Sequence, residues 1–161
     1  MVSVLYHDYS YLNELFDEIN KENRSNCLHI SKSIYKNNQE KLKELIEYTA
    51  KIVTDNHFNI DPSNYYIEFH KYFVNGKKTP FFNFHQDDGG AVHYNTVTCI
   101  YYLIKDKTIE GGDLEFEKYN VINIESNMLV IFNGNLMHRA TIMNGSGIRK
   151  SIVIQFERLS Y

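Results

Sequence analysis

Hydrophobic positions change their spacing about a third of the way along the chain. In YLNELFDEINKE, Leu12, Leu15, Phe16 and Ile19 recur at helical spacing, with Asp8 and Ser10 as candidate caps just before them. A second amphipathic stretch runs from about Lys36 to Val53. There Leu42, Leu45, Ile46, Tyr48 and Ile52 form an apolar stripe, while Lys41, Lys43 and Glu44 face water. From Asn64 the period turns to that of strands. YYIEFHKYFV is rich in aromatic and β-branched residues, and strand-like runs follow at TPFFNFH, TVTCIYYL, DLEFE, MLVIF, HRATIM and RKSIVIQFE. Turn chemistry separates them at Asn75-Gly76, Gly89-Gly90, Gly111-Gly112, Asn133-Gly134-Asn135 and Asn144-Gly145-Ser146-Gly147. Two helices followed by many short strands predict a mainly β (α+β) chain built on a sandwich or barrel.

Composition narrows the function classes. A chain of 161 residues is expected to form one domain over 1–161, with helical support about 8–55 and a barrel about 64–158. The formal net charge of -3 argues against a nucleic-acid clamp. No apolar run approaches the length of a membrane span, and MVSVLYHDYS lacks a basic-then-apolar signal pattern. Two cysteines, Cys27 and Cys99, make no disulfide framework and read as small core residues. The expected setting is therefore reducing, cytoplasmic or otherwise intracellular, with no membrane partner.

The candidate chemistry lies in the strand-rich part. His85 and Asp87 stand two apart in FHQDD, and residues at i and i+2 of a strand point to one face. Both can therefore reach one ion. His138, in LMHRA, must come from another strand that a barrel brings inside. Two imidazoles and one carboxylate on one side of a metal leave the other side open, which is the facial triad of non-haem Fe(II) oxygenases. Either histidine alone also reads as a satisfied core residue; the ordered set carries the assignment. Asp88 is the rival carboxylate, but the i, i+2 geometry favours Asp87.

Five ordered elements from Tyr72 to Gln155 extend this reading. His85-Gln86-Asp87 is followed by Val97-Thr98-Cys99-Ile100-Tyr101-Tyr102-Leu103, by Gly111-Gly112-Asp113-Leu114, by His138 and by Arg149. In these the chain resembles the Fe(II)/2-oxoglutarate-dependent dioxygenases, most closely their prolyl-hydroxylase-like branch. The resemblance implies a double-stranded β-helix, or jelly roll, with the N-terminal helices packed outside its major sheet. It implies Fe(II) held by His85, Asp87 and His138 as the catalytic centre, with 2-oxoglutarate and O₂ as co-substrates and ascorbate as a candidate reductant.

Arg149 matches the family's 2-oxoglutarate arginine, and its planar fork suits a two-point clamp on the far carboxylate. Tyr102 matches a tyrosine that donates to the same carboxylate, Tyr72 a tyrosine lining the pocket, and Ser151 a hydroxyl residue near it. With 13 tyrosines in the chain, Tyr72 and Tyr102 also read as ordinary core aromatics. Arg149 is expected to begin the last strand. It lies eleven residues after His138, a residue or two beyond the commonest family spacing, and the NGSG turn could absorb the excess. Lys150, the rival cation, is expected on the opposite face.

The implied reaction hydroxylates an unactivated C–H bond while 2-oxoglutarate becomes succinate and CO₂. The branch points to an amino-acid side chain, with a prolyl residue of a peptide or protein as the leading target. One alternative is a nucleic-acid dealkylating dioxygenase, which typically carries a second arginine six residues after the first, where Gln155 stands here. Another is a non-enzymatic jelly-roll metal-binding or sensor protein, which needs no open metal face. Glu68 and His70 alternate with Tyr66 and Tyr72, facing either the barrel mouth or solvent on an edge strand. His93 reads as a substrate contact or a solvated loop residue. Gly111 and Gly112 read as turn glycines, and residues 74–80, VNGKKTP, as a candidate substrate lid.

Overall fold

A computed structural model describes residues 1–80, 83–87, 95–118 and 120–159, with the side chains of Lys32 and Ser33 outside that set. Asp88, the Gly89-Gly90 turn, His93 and the Phe81-Phe82 part of the expected strand TPFFNFH lie outside the described residues. In chain order the elements are β1 (Val2–Tyr6), α1 (Tyr11–Asn20), β2 (Cys27–His29), α2 (Lys32–Asn37), α3 (Gln39–Asp55), β3 (Ile60–Asn75), β4 (Thr96–Lys105), β5 (Ile109–Glu110), β6 (Leu114–Phe116), β7 (Met128–Asn133), β8 (His138–Ala140) and β9 (Asn144–Arg158).

The major sheet is antiparallel and runs β1-β7-β4-β9-β3-β2, with β5 added alongside β9. A small second sheet pairs β6 with β8 and is joined by a bridge between His85 and His138. This mainly β, antiparallel architecture is the jelly roll expected from the sequence.

Period-2 alternation divides the central strands between two cores. On one face Val97, Cys99, Tyr101, Leu129, Ile131, Ile152, Ile154 and Phe156 pack with Leu12 and Phe16 of α1 and Leu42, Leu45 and Val53 of α3. On the other, Ile100, Tyr102, Val130, Phe132 and Val153 meet Leu114 and Phe116 of the small sheet. β4 is buried along its first eight residues because both faces are covered. On the helix face Phe16 stacks on Phe69 with centroids 5.1 Å apart. The Tyr101 hydroxyl shares a 2.8 Å hydrogen bond with Thr49 Oγ1.

Several expected boundaries are corrected. The second helix is two, α2 and α3, broken at Asn38, whose side-chain amide donates to the Ile34 carbonyl at 3.0 Å. Asparagine competes for backbone partners in this way and so interrupts helices. Ser10 occupies the cap of α1 but makes no side-chain capping bond; Asp8 instead accepts from the Ser10 amide at 2.9 Å. β1 and β2 were not expected: each is too short for periodicity to reveal, and each forms by pairing with a distant strand, β7 or β3.

Residues Asn144-Gly145-Ser146-Gly147 form no turn. They are the first residues of β9, pairing with β5 and with the end of β3, and Gly145 (φ 110°) and Gly147 (φ 137°) supply the unusual backbone. The last strand therefore begins five residues before Arg149. Residues 74–80 are pinned against β9 and its approach: the Gly76 amide donates to Gly145, and Lys78 exchanges two 2.9 Å backbone hydrogen bonds with Met143. None of 74–80 is among the described residues lining the cavity.

Candidate active site

The triad residues meet because an isolated bridge pairs His85, outside the named strands, with His138 at the start of β8. His85 and His138 exchange both backbone hydrogen bonds, each at 2.9 Å, so their rings leave the same face, 4.4 Å apart. Asp87 returns to that face two residues on, 3.8 Å from His85 Nε2 and 3.4 Å from His138 Nε2. The three ligand atoms lie within 4.8 Å of one another, so the set could hold one metal ion.

The tautomers favour ligation. His85 Nδ1 lies 3.0 Å from the Asn83 carbonyl and His138 Nδ1 2.8 Å from the Leu136 carbonyl. A carbonyl only accepts, so each Nδ1 carries the hydrogen and each Nε2 lone pair faces the centre. His138 is 4% exposed. Burial holds it below the ordinary imidazole range, outweighing the opposing pull of Asp87 and the Leu136 carbonyl. The neutral ring is the form that ligates.

Asp87 is oriented from behind. The Thr98 hydroxyl donates to Asp87 Oδ2 at 2.6 Å, and Thr96 donates to the Asp87 carbonyl at 2.9 Å. The Asp87 amide donates to the Gly134 carbonyl at 2.8 Å. A Cβ on Gly134 would meet Thr96 Oγ1 at 2.0 Å and the Asp87 carbonyl at 3.0 Å, so only glycine allows this approach. Sequence reasoning missed Thr96, Thr98 and Gly134 as supports. The available signal was two hydroxyl residues at alternating positions of an otherwise apolar strand.

From the triad a cavity of about 280 Å³ runs to Arg149, lined also by Tyr72, Tyr102, Ser151, Val153 and Gln155. Arg149 is 4% exposed, its Nε is buried without a hydrogen-bond partner, and it forms no ion pair among the described residues. Its guanidinium lies over the rings of Tyr102 and Tyr72, 5.1 Å and 5.9 Å from their centroids. Burial raises the Tyr102 hydroxyl to about 12, against the lowering pull of Arg149, so it stays protonated as a donor. Lys105, opposite Arg149 in the β4–β9 register, is already paired with Asp113 at 2.7 Å. Lys150 projects from the other face and pairs with Asp17 of α1 at 2.6 Å. A buried guanidinium N–H left without a partner beside a cavity calls for an anionic ligand.

Glu68 and His70 also line the cavity, towards the sheet edge, rather than lying on an exposed face. Their side chains are 2.9 Å apart, and the Tyr66 hydroxyl donates to Glu68 at 2.7 Å. Burial opposes ionisation of Glu68, but the hydrogen bonds from His70 and Tyr66 outweigh it and hold its carboxyl below the usual range.

The model of the 2OG-Fe(II) oxygenase superfamily matches residues 67–157, more than half of the chain, and the chain belongs to that superfamily. No curated protein matches. Among solved structures the chain is similar to prolyl 4-hydroxylase from Phytophthora capsici, with TM-score 0.68, 16% identity, and coverage of 98% of this chain and 58% of that one. It thus spans little more than half the length of that relative. It is similar to a prolyl-4-hydroxylase from Pseudomonas putida, with TM-score 0.63, 13% identity, and coverage of 99% and 93%. The complex of NgTET1 with 5mC DNA gives TM-score 0.65, 13% identity, and coverage of 98% and 72%. At these identities the likeness concerns the fold. No helix among the described residues is long and apolar enough to cross a membrane.

Proposed function

We propose that this protein is an Fe(II)- and 2-oxoglutarate-dependent dioxygenase that hydroxylates an amino-acid side chain, with a prolyl residue in a peptide or protein as the leading target. The observation that carries the reading is one cavity with an oxygen- and nitrogen-donor triad at one end and the orphaned guanidinium of Arg149 at the other. His85, Asp87 and His138 are its metal ligands, and the open side of such a triad accepts a chelating co-substrate. Bound there, iron and 2-oxoglutarate supply the oxidising power for C–H hydroxylation, with O₂ consumed and succinate and CO₂ released.

The chain's own residues bind and orient. Arg149 clamps the far carboxylate of 2-oxoglutarate, Tyr102 donates to it, and Tyr72 and Ser151 complete that end of the pocket. Thr98 fixes the Asp87 carboxylate towards the ion by donating to its Oδ2. Val153 and Ile100 exclude water from between the two ends. The prolyl target rests on the branch resemblance together with fold-level neighbours that are prolyl hydroxylases.

Three measurements test the reading. Anaerobic Fe(II) with 2-oxoglutarate is expected to give a weak visible charge-transfer band in the wild type and none in His138→Ala. Metal titration of His138→Ala with unchanged stoichiometry and affinity would overturn the triad. Succinate release is then screened against proline-bearing peptides, free amino acids and oligonucleotides, with metal-free protein as control. Release driven only by oligonucleotides would replace the amino-acid substrate with a nucleic acid.

A further inference from the structure

One other set of ligating side chains converges among the described residues. The Cys27 Sγ, a carboxylate oxygen of Glu68 and an imidazole nitrogen of His70 all lie within 4.8 Å of one another. Antiparallel register brings them together. Cys27 and His70 are paired directly across β2 and β3, so their side chains leave the same face. Glu68 lies two residues along β3 and returns to that face. All three are half-buried at the edge of the sheet, where Glu68 and His70 form part of the cavity wall.

We propose that Cys27, Glu68 and His70 form a second divalent-cation site, for a thiophilic ion of the Zn²⁺ class, at the rim of the cavity and separate from the triad. One thiolate, one imidazole and one carboxylate make a three-ligand set of the kind that holds zinc with a fourth position left to water. Ligand bonds of about 2.0–2.3 Å put tetrahedral donors about 3.5 Å apart. The three donors already lie within 4.8 Å of one another, so only a short distance remains to close.

The two clusters differ in softness. His85, Asp87 and His138 offer nitrogen and oxygen alone, whereas Cys27 adds sulfur, which selects a different ion. The rim cluster is also preoriented: the Tyr66 hydroxyl holds one Glu68 oxygen, and the other faces His70 Nε2 at 2.9 Å. Without an ion the Cys27 thiol is a poor nucleophile, because burial, reinforced by Glu68, pushes it up to about 12. A bound dication reverses that preference. The sulfur lone pair then forms the bond to the metal, the thiol proton leaves to water, and any hydrogen on His70 Nε2 gives way to one on Nδ1. Ion binding therefore releases the thiol proton and tightens as pH rises.

Anaerobic titration of the full chain with Co²⁺ tests the proposal independently of the proposed activity, since sulfur ligation alone gives intense near-ultraviolet thiolate-to-cobalt absorption. The wild type is expected to take up two equivalents, one of them with that band. Cys27→Ser is expected to lose the band and one equivalent, and His70→Asn to weaken the band-forming equivalent on the order of 100-fold or more. Cys99→Ser is expected to keep both. A wild-type spectrum without the band, or a band that survives Cys27→Ser, overturns the site. His138→Ala is expected to lose the other equivalent and keep the band, so failure of the triad and failure of the rim site give different spectra.

Discussion

The two faces of the central sheet use the same strands for opposite purposes. Ile152, Ile154 and Phe156 of β9 enter an apolar core sealed by α1 and α3. Their neighbours Arg149, Ser151, Val153 and Gln155 line a cavity. On the helix face Lys150 is already neutralised by Asp17; on the cavity face Arg149 has no carboxylate partner among the described residues. Lys150, buried and paired, holds the fold, whereas Arg149, buried beside the cavity with its Nε unpaired, is open to a ligand. The alternation of a strand is thus enough to separate scaffold from chemistry by a single residue step.

If the faces are separable, breaking one should spare the other. The largest effect is expected from Phe69→Ala on the helix face. Phe69 is fully buried and stacked on Phe16, and removing such a ring costs about 3–5 kcal/mol. Urea denaturation measures that loss, while the folded variant should keep metal and 2-oxoglutarate affinity. A parallel fall in affinity would show that the helix face shapes the cavity.

Arg149→Ala is expected to do the reverse, leaving metal binding intact and weakening 2-oxoglutarate. Losing a buried charged pair of roughly 2–5 kcal/mol corresponds to about 30- to several-thousand-fold in affinity. Arg149→Lys should recover only part, because lysine lacks the planar fork. Lys150→Ala should leave 2-oxoglutarate affinity unchanged and cost about 1 kcal/mol of stability at most, since its partner Asp17 is 56% exposed. Anaerobic titration with Mn²⁺ in place of iron reads all three. A damaging Lys150→Ala beside a silent Arg149→Ala would reverse the two faces.

Much of this division was legible in the chain. The i, i+2 spacing of His85 and Asp87, the opposite facing of Arg149 and Lys150, and the shift from helical to strand period all rest on local geometry, which sequence expresses directly. What was not legible depends on partners far away. β1 and β2 are five and three residues long and exist because β7 and β3 offer edges. Asn144-Gly145-Ser146-Gly147 has the composition of a turn, yet the ends of β3 and β5 draw it into β9. The pairing of Cys27 with His70 was equally hidden, because 43 positions separate them in the chain and only the register of β2 on β3 joins them. Gly134 lies in the turn that its composition signals, and its lack of a Cβ also lets Asp87 approach Thr96, which composition does not reveal.

The finest test of the boundary between the faces is at Thr98. It sits on β4 between Val97 and Cys99, both packed against the helix side, and turns its hydroxyl the other way to Asp87 Oδ2 at 2.6 Å. Replacing it with valine keeps the side chain's size and removes only the donor. Asp87 then keeps its backbone position through Gly134 but loses the bond that fixes its carboxylate rotamer. Outer partners of metal ligands are worth about 10–100-fold in affinity, so Thr98→Val should weaken Mn²⁺ or Fe(II) by that factor with the thermal midpoint little changed. Thr98→Ser retains the hydroxyl and should restore most of the affinity. If serine and valine weaken the metal equally, packing rather than the hydrogen bond positions Asp87. If neither does, Asp87 is held by its backbone alone.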